Sequence, residues 1–158
     1  MKVKIGKYPS HRFYHNWLYN WFGYSPKQRT SIKIHDYDTW SMDHTLAPII
    51  LPMLKQLKET KHGAPAVDLE DVPQELRPSN TEEWQKLYNE GGETDEKFFE
   101  RWDWVLDEMI YAFDCKVNKD EVYMRFDIKT ERDLMDKEQD RISNGFRLFG
   151  KYYENLWD

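Results

Sequence analysis

A chain of 158 residues has the length of one domain, and its 7 Trp, 10 Tyr and 8 Phe exclude the aromatic-poor composition of a disordered chain. A single cysteine, Cys115, excludes an intramolecular disulfide and a cysteine-rich zinc site. A net charge of −6 disfavours strong non-specific binding to nucleic acid through the surface as a whole.

The charge is unevenly spread. Residues 1–35 hold Lys2, Lys4, Lys7, Arg12, Lys27, Arg29 and Lys33 and no acid, so all 29 acidic residues fall in 36–158. Such asymmetry marks a binding surface, or a basic segment that packs on an acidic remainder. No run of 18 apolar residues occurs and no secretory h-region opens the chain, so the expectation is a protein without a membrane partner that acts in the cytoplasm.

In chain order, Lys2-Val3-Lys4-Ile5 alternates as a short strand does. Ser10 offers a cap for a helix over 11–22, with Phe13, Tyr14, Trp17, Leu18, Trp21 and Phe22 on one broad apolar face and Gly23 as its stop. Residues 31–34 alternate again. A polar connector, 35–44, leads to a helix ending near Thr60, in which Pro48 suits a first turn and Pro52 implies a kink or a late start. Residues 64–80, with three prolines and several acids, read as a loop that is either functional or mobile. Helices follow over 81–89 and 95–115, the second carrying Phe99, Trp102, Leu106, Met109 and Phe113 at three- and four-residue steps. Val122, Met124, Phe126 and Ile128 alternate as a third strand. Thr130 and Asp133 resemble a capping box for a last helix striped by Ile142, Phe146, Phe149, Tyr153 and Leu156. Gly145 and Gly150 in it allow close packing or a bend. The expected fold is α+β and mostly α-helical: one domain over 1–158, with three longer helices and two or three short strands.

Four groups of residues are candidates for chemistry. Glu96, Glu100, Asp103, Asp107 and Asp114 share one side of a helix, a pattern that suits a solvated face or carboxylate ligands for magnesium or manganese. Asp36, Asp38 and Asp43, with His44, lie in the connector, where they serve as turn and cap residues or complete that metal site from the opposite side. His11 and His15 share a helix face without the glutamate of a metalloprotease motif, and His35 and His44 complete a zinc site only through tertiary placement. The basic, aromatic N-terminal segment combines Lys4, Arg12, Lys27 and Arg29 with Tyr8, Tyr19 and Tyr24, which fall off the apolar helix face and suit stacking on bases. Cys115 sits by a helix C-terminus, which disfavours the thiolate. There is no phosphate loop, dinucleotide fingerprint or nucleophile elbow.

Three segments carry a resemblance: Asp38 to Ala47 running on into Leu54-Lys55-Gln56-Leu57, Arg101 to Ile110, and Gly145 to Tyr153. They resemble a group of uncharacterised proteins encoded by tailed bacteriophages and marine viruses, which implies a viral origin and a host-cytoplasm setting and carries no catalytic residue with it. The acidic helix also resembles those of the all-α nucleotide pyrophosphohydrolases, which hold magnesium on paired helices. The helix after Asp43 is apolar and basic where that family has a second acidic motif.

The leading expectation is a non-enzymatic viral accessory protein, without a cofactor, that binds a protein partner or self-associates, with a nucleotide or single-stranded nucleic acid as the other ligand class. The alternatives are a magnesium- or manganese-dependent nucleotide phosphohydrolase and a minor virion component. The enzyme reading predicts that Asp107→Asn abolishes turnover and stabilises the fold by relieving carboxylate repulsion.

Overall fold

A computed structural model describes residues 1–7, 13–25, 27–92, 94–119 and 121–157, apart from the side chains of Glu83 and Leu87. The expected Ser10 cap, and the candidates Tyr8, His11 and Arg12, lie outside the described residues. The chain divides into two compact units, Met1–Thr45 and Leu46–Asp158.

In the first unit, β1 (Lys2–Ile5) pairs antiparallel with β2 (Thr30–Lys33), with Lys2 opposite Lys33 and Lys4 opposite Ser31. The register continues to Gly6, whose N–H donates to Arg29 O at 2.8 Å. The connection between the strands carries α1 (Phe13–Phe22). Gly23 stops it as expected: φ is +63°, the left-handed region, and its N–H donates to Tyr19 O. A 3₁₀ turn, Asp36–Thr39, precedes α2 (Met42–Thr60), whose first turn ends the unit.

The second unit is helical. α2 buries Ala47, Leu51 and Leu54, and its Pro48 and Pro52 are exposed. The helix begins at Met42, so Pro48 falls in its second turn rather than its first. Two 3₁₀ turns, Leu69–Asp71 and Gln74–Leu76, lead to α3 (Thr81–Gly91), and Gly92, at φ +68°, follows it. α4 (Phe98–Asn118) is the central helix. Trp102, Val105, Leu106, Met109 and Ala112 are fully enclosed, while Phe99 is exposed. α5 (Val122–Arg125) is a single turn, and α6 (Arg132–Lys151) runs antiparallel to α4 before a closing 3₁₀ turn, Tyr153–Asn155.

The expected third strand over 122–128 is therefore a helical turn and a loop. Its alternation does not match burial: Val122 is buried, but Met124 and Ile128 are exposed. Val122 and Phe126, four residues apart, both pack in the small core around Ala112, Cys115 and Ile142, which a helical step also achieves. The Thr130–Asp133 capping box is absent too. Glu131 takes the cap position, and its Oε2 accepts from Asp127 N at 3.0 Å.

The stripe on α6 is shifted by part of a turn. Ile142, Gly145, Leu148 and Tyr152 are buried, whereas Tyr153 is exposed. Gly145 permits the approach of α4, as the sequence allowed; nothing lies within 4 Å of a Cβ placed on Gly150. Residues 64–80 form an anchored loop. Val67 and Val72 are buried, Arg77 donates twice to Val72 O, and Lys97 Nζ donates to Glu75 O.

Candidate functional site

The basic, aromatic segment forms the greater part of the first unit. Helical spacing places Phe13, Trp17, Trp21, Tyr14, Leu18 and Phe22 on one half of α1, an apolar face about as wide as core-facing helices carry. None of these residues is buried: Phe13 is 91% exposed, Trp21 72% and Phe22 70%. The rings pack on one another, with Trp17 and Trp21 centroids 6.1 Å apart and Trp17 edge-on to Phe22 at 6.0 Å. Tyr19 and Tyr24 are exposed as well.

The hairpin adds charge. Lys2 and Lys33 face each other across the strands, and Lys4 projects on the same side, because partners in register share a face. Like charges directly opposite are destabilising, so the fold tolerates a local repulsion there. Lys27 and Arg29 are exposed on the return to β2.

Of the connector acids, Asp38 is fully engaged. Its Oδ1 accepts from the Met1 amino group at 2.5 Å, and its Oδ2 accepts from His35 N at 2.7 Å. The bond from the amino group, then that from His35, hold its carboxyl below the ordinary value. Asp36 is exposed at the start of the 3₁₀ turn, and Asp43 lies in the first turn of α2, 3.8 Å from His44 Nε2.

The acidic side of α4 meets the basic side of α2. Lys55 reaches Asp114 at 3.5 Å, Lys58 reaches Asp107 at 2.5 Å, and Lys61 reaches Asp103 at 2.6 Å. Three lysines at three-residue steps thus run antiparallel to three of the ridge carboxylates. No group of three or more His, Cys, Asp and Glu side chains comes together to hold a metal ion among the described residues.

Two arrangements had no clear signal in the sequence. Asp71, in the 64–80 loop, is buried; its Oδ1 accepts from Arg147 at 2.7 Å, and its Oδ2 from Lys151 at 2.6 Å and Tyr152 OH at 2.7 Å. Burial works against its charge, but the bonds from Lys151, Tyr152 and Arg147 outweigh it and hold the carboxyl below the ordinary range. Burial, and then the bond to Asp71, push the Tyr152 hydroxyl up. The other is an apolar groove of about 910 Å³ between α2 and the C-terminal turn, walled by Leu46, Ile50, Met53, Phe149, Tyr153 and Trp157. The 46, 50, 53, 57 spacing on α2 was its one trace in the sequence.

Comparison with family models, with curated proteins and with solved structures gives no match.

Proposed function

We propose that this chain is a non-enzymatic binding protein that engages a protein partner, a second copy of itself or a different chain, through the aromatic and basic surface of its first unit. One observation carries the reading: Phe13, Trp17, Trp21 and Phe22 of α1 are each more than half exposed. Protein-binding patches are enriched in Trp, Tyr and Phe at their centre and in polar groups at the rim. Contiguous exposed apolar surface of this kind marks an interaction site. Lys4, Lys27 and Arg29 lie in the same acid-free stretch and favour a partner with an acidic surface. The resemblance of three segments to phage-encoded proteins supports a viral accessory role in a host cytoplasm, with a minor virion component as its particle-bound form.

Single-stranded nucleic acid is the second reading. The Lys2–Lys33 pairing and the exposed tyrosines favour it, since such binders combine positive charge with stacking rings. The magnesium-dependent phosphohydrolase draws less support, because Asp103, Asp107 and Asp114 already have lysine partners. Failure to turn over any nucleoside triphosphate with magnesium or manganese ends that reading.

The test is partner capture by the wild-type chain and by a Lys4→Glu, Lys27→Glu, Arg29→Glu variant. Loss of capture with an unchanged circular dichroism spectrum supports the proposal. Undiminished capture of the same protein by the variant refutes the N-terminal surface.

A further inference from the structure

The apolar groove of about 910 Å³ in the second unit takes one wall from a single row on α2. Leu46, Ile50, Met53, Leu57 and Thr60 follow steps of 4, 3, 4 and 3, the spacing of a helix–helix seam. Phe149, Tyr153 and Trp157 form the facing wall. No residue that lines the groove is charged, in a chain that is 33% charged. The lysines of α2 lie elsewhere, with Lys55 and Lys58 on the acids of α4. The walls stay open: Tyr153 is 65% exposed, Met53 60%, Trp157 56% and Leu46 38%. Walls this open do not enclose most of a small molecule, as ligand pockets do. A helix laid along them covers them.

We infer that the groove seats a second copy of this chain, with the two α2 helices antiparallel about a two-fold axis near Met53. The row itself favours a copy. It extends seven residues to each side of Met53 and reads nearly the same from either end. An antiparallel pair therefore sets Leu46 of one copy beside Thr60 of the other, and Ile50 beside Leu57. A two-fold pairing also brings each surface against itself, where like charges would repel; a row without charge meets its own image at no such cost.

The area sets the strength. With about 150–250 Å² for a whole aromatic side chain, and about half of that for Leu or Met, the exposed parts of the two walls present roughly 400 Å² in each copy. Two copies then bury about 800 Å², short of the roughly 1,000 Å² of a stable interface, so the dimer is weak and reversible, with Kd about 10–100 μM. Such a dimer is not populated at the submicromolar concentrations of affinity capture, and it uses no residue of the first unit, so this inference and the proposed function are tested apart.

The experiment is sedimentation velocity of the full chain from about 1 to about 300 μM, a range that brackets that Kd. The expected result for wild type is a reversible monomer–dimer equilibrium. Met53→Glu, at an exposed position and with the fold checked by circular dichroism, should weaken it by about tenfold or more, because the two new charges meet at the axis. Met53→Lys should do the same, and an equal mixture of the two variants should dimerise again. Trp17→Ser with Trp21→Ser should leave the equilibrium unchanged. A wild-type chain that stays monomeric at about 300 μM leaves the groove to another occupant and overturns the inference. A dimer unmoved by Met53→Glu, or lost only in the Trp17, Trp21 variant, places self-association elsewhere and overturns it too. A Glu–Lys mixture that stays monomeric removes the two-fold axis at Met53.

Discussion

Gly145 of α6 lies so close to Ala112 of α4 that a Cβ placed on it would stand 2.6 Å from the Ala112 Cβ and 2.4 Å from Glu108 O. Neither neighbour is the end of a flexible side chain, so the two helix backbones would have to part. The Glu108–Arg141 pair at 2.7 Å and the Tyr111–Glu138 bonds lie on the same antiparallel seam and fix its register.

Gly145→Ala should therefore destabilise the protein by about 1–3 kcal/mol, although alanine is the better helix former. Gly150→Ala, in the same helix with open space around it, should be neutral or slightly stabilising. Thermal melts of the two variants check the contrast.

Asp71 should make stability fall in acid. Its folded-state carboxyl is held below the ordinary value of 3.8, so its contribution is fully present above that value and is lost as pH falls through the lower folded value. Asp71→Asn should cost about 2 kcal/mol near neutrality, allowing for the half-exposed Arg147 and Lys151 that it would leave behind. It should also flatten the pH dependence below about pH 4. Urea midpoints of both proteins between pH 7 and pH 3 measure this.

The lysine–carboxylate pairing reverses the sign expected for Asp107. If the α4 acids repelled one another, Asp107→Asn would stabilise the fold. With Lys58 Nζ at 2.5 Å from its carboxylate, the substitution should be neutral or mildly destabilising, by about 0.2–1 kcal/mol, and less so in high salt. Melting curves at low and high sodium chloride distinguish the two.

The exposed rings of α1 should matter little for folding. Trp17→Ser with Trp21→Ser should shift stability by about 0.5 kcal/mol or less, whereas Trp102→Ala, at a fully enclosed position, should cost about 3–5 kcal/mol. Denaturant titration followed by circular dichroism reads both.

The long helices were legible because their apolar residues recur at helical steps, and α4 is the clearest case. The hairpin was legible from the alternation in 2–5 and 31–34. The segment at 122–128 misled because Val122 and Phe126 satisfy a two-residue and a four-residue period alike. Which applied depended on α6 offering Glu138 to Arg125, a contact 13 positions away. The anchoring of 64–80 rests on Asp71 meeting Arg147 and Lys151, and no local pattern announces partners that distant. Sequence spacing placed Asp103, Asp107 and Asp114 on one face, whereas Glu96 lies before the helix begins, and the lysines that answer the three come from α2 and from Lys61 just after it. The apolar face of α1 was equally visible; the exposure of its large rings was not.

In the proposed reading, the exposed rings of α1 and the basic residues of the same unit form a binding surface. The most direct measurement is quantitative affinity capture with the wild-type chain, the Lys4, Lys27, Arg29 reversal variant and the Trp17→Ser, Trp21→Ser variant, each first shown to be folded. Wild type should capture a saturable protein partner, or a second copy of itself, and both variants should lose it. A partner retained equally by both variants, or no saturable capture by wild type, would contradict it.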